Sequence, residues 1–407
     1  MRSAGPIRFA EFVLIVATLS GLTAFSVDNV LPAFPAIAGQ FHLAGQNDVQ
    51  YLVYTYGISY AIMQLVYGTV SDSAGRRPVV LFGLAVYAVA SLLGTFADSF
   101  PQLLTARVLQ GIGAASARVL SMAIIRDRYH GSDMARVLSL TLMMTILLPV
   151  VAPSAGSLLL LVGSWRTIFA SMAVIPVLLS VWFGLRMPET LPPGRRSRFS
   201  AQRILADAGI VAATRRSVAY ATATGLVMAC LYAYVGSAQQ ILGGTYRLGG
   251  LFPLLVGMLA AVLSVAAFTN ARLVKSIGLS RLAHAALCGN AAVAVIQLSV
   301  AYLFGGHPPL ALFCVMIGGS LFLFGLIIPN FSSLALEPLG SVAGTAASML
   351  GAYTTLMGAV LGLFVGRAFD GTILPLSIGF VVFGLTSLAT VAWSERGRLF
   401  HASQQVA

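Results

Sequence analysis

Asp28 sits in AFSVDNVLPAFPAI, residues 24 to 37, a stretch that is otherwise nearly all apolar. A carboxylate at mid-depth in a membrane-spanning helix costs about 2.5 to 3.5 kcal/mol, so it faces protein or a watery pathway rather than lipid. Burial favours the neutral carboxyl, and a neighbouring cation favours the carboxylate. A side chain moved between two such surroundings takes up and releases a proton, which is the chemistry that coupling to a proton gradient requires. The alternative is a polar contact between helices with no part in proton transfer.

Two arginines share a second apolar segment, which opens with LLTARVLQGIGAAS, residues 103 to 116: Arg107 and, further on, Arg118. Asp28 lies about 14 Å from the outer end of its segment and Arg107 about 10 Å from the outer end of its own, so the two can reach one cavity. Arg118 follows about 16 Å beyond Arg107 on the same helix face. Asp28 is the one acid deep in any apolar segment, so the interior holds two positive charges against one negative. That balance suits neutral, zwitterionic or anionic amphipathic compounds better than organic cations. Tyr56, Tyr60, Gln64 and Tyr67 form a polar-aromatic stripe on one helix face, suited equally to lining a cavity and to helix packing. In the second half, Tyr232 falls where a loose alignment places the counterpart of Asp28, and Tyr234 and Gln239 follow it.

The elements that position these residues are read from hydropathy. The chain has 407 residues, 58% hydrophobic and 9% charged, with a mean hydropathy of +0.90, too apolar to cover itself with polar surface in water. Twelve apolar segments reach the length of a membrane span. They cover residues 10 to 37, 49 to 70, 79 to 97, 101 to 125, 137 to 162, 166 to 186, 217 to 242, 249 to 271, 282 to 303, 309 to 333, 342 to 366 and 373 to 394. The expected fold is an all-α membrane protein of 12 transmembrane helices.

A net charge of +12 raises the possibility of a nucleic-acid partner, but the placement of the charges argues against one. With both termini on the cytoplasmic side, 19 of the 24 basic residues fall on cytoplasmic segments, and only Arg166, Arg247 and Arg367 fall outside. This is the positive-inside bias of a bacterial inner-membrane protein. Arg2 and Arg8 precede a first segment expected to be retained as a span rather than cleaved. Cys230, Cys288 and Cys314 lie in spans and make neither a disulfide framework nor a metal cluster, so no metal or cofactor is expected.

The one long polar connection divides the chain into residues 1–187, a basic cytoplasmic linker 188–216, and 217–407. A faint repeat supports two related six-helix bundles. GTVSDSAGRRP follows the second segment and ARLVKSIGLSR the eighth, with Gly75 and Gly278 203 residues apart (278 − 75).

Within Gly68-Thr-Val-Ser-Asp72-Ser-Ala-Gly75-Arg76-Arg77, Asp72 falls at the C-terminal end of a helix, where the macrodipole is unfavourable to a carboxylate. Arg76, four residues on across a turn that Gly75 allows, is one candidate for compensation. The N-terminus of a neighbouring helix is another. Such a cluster would latch two bundles together on one side of the membrane.

This G-x-x-x-D-x-x-G-R-R pattern resembles the signature loop of the major facilitator superfamily. The resemblance implies a relay of Asp72, Arg76 and Asp127 that stabilises the outward-facing state. It also implies a link to proton transfer for Arg107, which lies in a motif with Gln110 and Gly111. LPVVAPSAGSLL, residues 148 to 159, resembles the drug-proton antiporter motif in Pro153 and Gly156 but departs from it at Ala152 and Ser157. DNVLPAFPAI, DSAGRRPVVLFG, IIRDRY and GTAASMLGAYTTLMGAVLG together resemble the bicyclomycin and chloramphenicol resistance (Bcr/CflA) branch.

The resemblance implies a proton-coupled exporter of small amphipathic compounds working by alternating access, as a monomer among membrane lipids. The alternative is a carrier of a dedicated metabolite such as a sugar, siderophore or nucleoside. An enzyme is excluded for want of a nucleotide loop, metal cluster or activated nucleophile.

Overall fold

The computed structural model describes residues 7–196 and 201–400. Among the described residues it is all-helical, and twelve helices have 20 residues or more. In the first half they are α1 Phe9–Asp28, α2 Tyr51–Ala74, α3 Arg76–Thr95, α4 Phe100–Arg128, α5 Gly131–Val162 and α6 Trp165–Arg186. In the second they are α7 Arg215–Ala238, α8 Phe252–Ile277, α9 Leu279–Leu303, α10 Leu310–Leu336, α11 Ala343–Arg367 and α12 Leu374–Ser394. Twenty residues rise about 30 Å, the thickness of the hydrocarbon layer.

Eleven of the described helical stretches are both long and apolar enough to cross a membrane. The twelfth, α2, is long enough but carries five tyrosines and Gln64. It crosses as a helix whose polar stripe is covered. Tyr54, Tyr56, Tyr60, Gln64 and Tyr67 are buried, while Ile62, Leu65 and Val66 on the opposite face are exposed. That is the division expected of a helix with lipid on one side and protein on the other.

The first segment differs from expectation. It is not one uninterrupted helix: α1 ends at Asp28, and after two residues the chain makes a 3-10 turn, Leu31–Ala33, and a short helix, Phe34–Gln40. Pro32 has no N–H to offer the Asp28 carbonyl four residues earlier, and Pro35 denies the same bond to Leu31. Asp28 therefore occupies a helix end rather than a helix middle. Segment seven also ends differently, since α7 stops at Ala238 and Gln239–Thr245 forms a wider π-turn. Between α6 and α7 the described residues include a helix over Ala201–Ala213.

By contacts the chain forms two compact units, Met1–Ala201 and Gln202–Ala407. Each follows the same packing plan. In the first, α1 lies against α4, α5 and α6, α3 against α4 and α6, and α2 against α4. In the second, α7 lies against α10, α11 and α12, α9 against α10 and α12, and α8 against α10. The faint sequence repeat is therefore a structural one.

Its two marker glycines turn the chain identically, Gly75 at φ 101° and ψ 157° and Gly278 at φ 88° and ψ 152°. This region is open essentially to glycine alone and costs other residues about 1–3 kcal/mol. The surroundings differ. A Cβ on Gly75 would lie 2.6 Å from the Glu189 carboxylate and 2.9 Å from the Arg196 guanidinium, whereas one on Gly278 meets nothing within 4 Å. Gly278→Ala should therefore lower the detergent-solubilised melting temperature by the backbone cost alone, and Gly75→Ala by more. Equal shifts in a thermal scan would contradict this account.

Candidate functional site

The first unit is organised around a guanidinium with no access to solvent. Arg107 is fully buried. Its Nε donates to the Leu52 carbonyl at 2.8 Å, and its Nη1 donates to the Ser26 carbonyl at 3.1 Å and to Gln110 Oε1 at 2.9 Å. The guanidinium lies 4.6 Å from the centre of the Tyr56 ring. One α4 side chain thus holds the end of α1 and the start of α2.

Gln110 extends the network, donating to Ser91 Oγ at 2.7 Å, and Ser91 bonds back to the Tyr87 carbonyl at 2.8 Å. The Tyr87 hydroxyl closes it by hydrogen-bonding Ser26 Oγ. Glycines allow this closeness. A Cβ on Gly111 would meet the Tyr56 carbonyl at 2.4 Å, and one on Gly113 the Gly83 carbonyl at 2.6 Å.

Asp28 lies two residues beyond the Ser26 carbonyl. The structure does not pair it with Arg107 or with any other cation among the described residues, and it is partly accessible. Its neighbour Asn29, which the sequence gave no reason to single out, is fully buried, and neither side-chain amide atom has a hydrogen-bond partner. Across from it runs α5. A Cβ on Gly156 would lie 2.2 Å from the Asn29 carbonyl and 2.8 Å from its Oδ1. Gly156 is thus the point where α5 touches the helix break beside Asp28, and Pro149 and Pro153 interrupt α5 a turn or two away. Ala152 is itself buried and accommodated, so the departure from glycine there costs no contact.

The remaining cavity candidates separate. Tyr56 is buried beneath Arg107 and stacks on Tyr60, with ring centroids 6.2 Å apart and 12° between planes. Tyr67 is likewise buried, so at these positions the stripe serves packing. Arg118 behaves otherwise: it is exposed, with the Tyr60 hydroxyl in its electrostatic reach. Arg107 and Arg118 share a helix but not an environment. In the second unit Tyr232 packs on the small residues of α11, where a Cβ on Gly362 would lie 2.7 Å from that of Tyr232. Gln239 opens the π-turn, and its Oε1 is buried without a hydrogen-bond partner.

At the far end of the first unit the signature loop closes as a network. Arg76 Nη1 pairs with Asp72 at 2.6 Å and donates to Ser71 Oγ at 2.6 Å, while Nε pairs with Asp127 at 3.1 Å. Arg76 thus provides the compensation that Asp72 needs. The N-terminus of α3 receives a different carboxylate, Glu189, which accepts from the Arg76 and Arg77 N–H groups at 2.9 and 3.1 Å. Thr190 reaches Asp127 at 3.1 Å, and Arg77 donates to the Gly184 carbonyl. Gly68 lies one helical turn earlier on α2, where its carbonyl accepts from Ser71 Oγ at 2.8 Å.

The expectation had this loop latching two bundles. The bonds described here tie α2, α3, α4 and the segment after α6 to one another within the first unit, and the latch between bundles is a proposal. Glu189 was missed because its partners are more than a hundred residues away in sequence. The available signal was a lone acid, in MPET, heading a basic linker.

Each unit also joins its first and last helices. Glu11 on α1 takes a two-pronged bond from Arg186 on α6, at 2.6 and 2.8 Å. Arg216 on α7 meets Glu395 after α12 at 3.3 Å and Glu337 after α10 at 2.9 Å. The Tyr220 hydroxyl links Glu395 and His284, both at 2.8 Å.

Two six-helix units with one repeated packing plan define a multi-pass membrane carrier. The chain belongs to the major facilitator superfamily, whose family model matches residues 16–362. It is therefore a transporter rather than an enzyme. An uncharacterised major-facilitator-type transporter of Bacillus subtilis is 30% identical over 92% of this chain and 94% of its own. A bicyclomycin resistance protein homolog of Haemophilus influenzae is 27% identical over 90% and 91%. A multidrug resistance protein MdtL of Vibrio parahaemolyticus is 34% identical over 45% and 46%. Among solved structures a D-xylose-proton symporter superposes with a TM-score of 0.72 at 14% identity, covering 96% of this chain and 100% of that one, a likeness of fold alone.

The loop geometry sets an order of stability effects. Asp72 has a half-exposed side chain, so Asp72→Asn should cost no more than a surface pair, about 0–1 kcal/mol. Arg76 is buried, and Arg76→Ala leaves Asp127 without its cation, which should cost about 3 kcal/mol or more. Chemical unfolding in detergent should show that order. Equal losses would mean that Asp72, not Asp127, is the principal partner.

Proposed function

We propose that the chain is a proton-coupled exporter of small amphipathic compounds, working by alternating access in the bacterial inner membrane with both termini cytoplasmic. The observation that carries this reading is the placement of Asp28. It is the one acid deep in any span, it stands at a proline-made helix break, and it has no ion-pair partner among the described residues. Two residues away its own helix is tethered to Arg107, whose Nη2 is buried with no hydrogen-bond acceptor.

That geometry allows two states. A deprotonated Asp28 gains by swinging toward the free Nη2 of Arg107 on a backbone that already lacks its helical hydrogen bond. A protonated Asp28 has no such gain and leaves the guanidinium to the backbone carbonyls. Because α5 touches the break at Gly156, a shift there is passed to the proline-weakened part of α5. Proton occupancy is thereby coupled to helix position. The relatives named for bicyclomycin resistance and multidrug resistance support drugs as the cargo.

Asp28→Asn keeps size and hydrogen bonding but cannot titrate. Purified protein in weakly buffered detergent should release protons when saturated with bicyclomycin, and the variant should release none while remaining folded and monodisperse. Gradient-driven efflux should fall to background. Undiminished proton release by the variant would remove Asp28 from the coupling role, and no release by the unaltered protein would remove the exporter reading for this compound class.

A further inference from the structure

The two α4 arginines divide one task between them. Arg107 is spent inside the protein, with carbonyls and a glutamine as its acceptors. Arg118 is exposed, and no carboxylate pairs with it among the described residues. It lies ten residues before the last residue of α4, Arg128. That is about 15 Å from the helix end, deeper than an arginine stem can snorkel from. A cation this far into a span is not tolerated against lipid, so its exposed face looks onto water or cargo.

Its neighbours are also donors. The Tyr60 hydroxyl lies within reach of both Arg118 and Thr23. The Thr23 hydroxyl is buried, with the Tyr60 hydroxyl as its neighbour. Guanidinium, phenol and threonine hydroxyl come from α4, α2 and α1, and among the described residues no carboxylate pairs with the guanidinium. Stacking on the buried Tyr56 fixes the Tyr60 ring in place.

We propose that Arg118, with the Tyr60 and Thr23 hydroxyls beside it, binds the ionised carboxylate of an amphipathic organic acid. This deepens the exporter reading and rests on it for direction, but the binding itself does not require proton coupling. The guanidinium neutralises the carboxylate, and the hydroxyls occupy its remaining lone pairs. A charge-assisted set of this kind separates an acid from its uncharged amide by about tenfold or more.

The test uses matched aromatic acids and primary amides, 2-naphthoate with 2-naphthamide and 4-phenylbutyrate with 4-phenylbutyramide, binding to the purified full chain at pH 7. The unaltered protein should bind the acid of each pair about tenfold more tightly than the amide. Arg118→Gln should bring acid and amide within about threefold, mainly by weakening the acid, and a melting temperature within the range of the unaltered protein reports an intact fold. Arg118→Lys should keep the preference for the acid, and Tyr60→Phe should reduce it without abolishing it.

Acid and amide bound alike by the unaltered protein, no acid bound, or a full preference surviving in Arg118→Gln would each overturn the proposal. If the acid preference is absent while Asp28→Asn still abolishes proton release with bicyclomycin, the exporter reading stands and this site falls. If the Arg118-dependent preference is present but Asp28→Asn releases protons normally, the site stands and the coupling reading falls.

Discussion

A guanidinium sealed inside a membrane protein keeps its charge at every accessible pH, so it must be met by oxygen atoms, and Arg107 finds them on the backbone. The Ser26 carbonyl can be offered because α1 is about to break, where the last turn of a helix leaves carbonyls without a helical partner; the Leu52 carbonyl lies in the first turn of α2 and takes the bond from Arg107 Nε. The approach of α2 and α3 to α4 depends in turn on Gly111 and Gly113, where any side chain would collide. Removing the arginine would leave a buried cage of acceptors built for a cation. The prolines break α1, and Arg107 holds the broken end, two residues from Asp28, against the packed helices α2 and α4.

Much of this was legible in the sequence, and the reasons are physical. Bilayer thickness fixes span length, so hydropathy located the twelve helices, although it carried the first past its end at Asp28. The polar stripe of α2 was visible as a periodicity, although only the fold shows that Tyr56 and Tyr67 serve packing. Asp72 and Arg76 were readable because a local turn joins them, and Asp127 came from the resemblance. What escaped were contacts without a side-chain signature. The acceptors of Arg107 are carbonyls, which every residue carries, so the sequence offered Asp28 as its natural partner and the fold supplied the backbone instead. Glu189 closes a loop across most of the first unit, a distance at which a single chain carries no pattern. The end of α1 at Asp28 was available in principle, since Pro32 stands four residues later, but a long apolar run hid it.

The repeat deepens the contrast between the halves. Gly75 and Gly278 adopt one backbone conformation, yet the first is enclosed by Glu189 and Arg196 and the second by nothing within 4 Å. Position 72 holds an aspartate, whereas its counterpart 203 residues on is Lys275. One turn geometry is therefore shared by both units, while a charge network surrounds only the first. Polar organisation in the second unit has moved to the Arg216, Tyr220, His284 and Glu395 cluster near the ends of α7, α9 and α12.

The clasps that join the first and last helix of each unit are opposite in sign. In the first, the acid is on the opening helix and the base on the closing one, Glu11 with Arg186; in the second the order is reversed, Arg216 with Glu395. During synthesis two sets of similar helices are inserted one after the other, and similar helices invite exchange of partners. An opening helix that docked on the closing helix of the wrong set would place Glu11 against Glu395, or Arg216 against Arg186. Like charges repel at a site built to hold opposite ones, and the mismatch penalises the swap. The sign reversal thus disfavours exchange of closing helices between two units that share one packing plan.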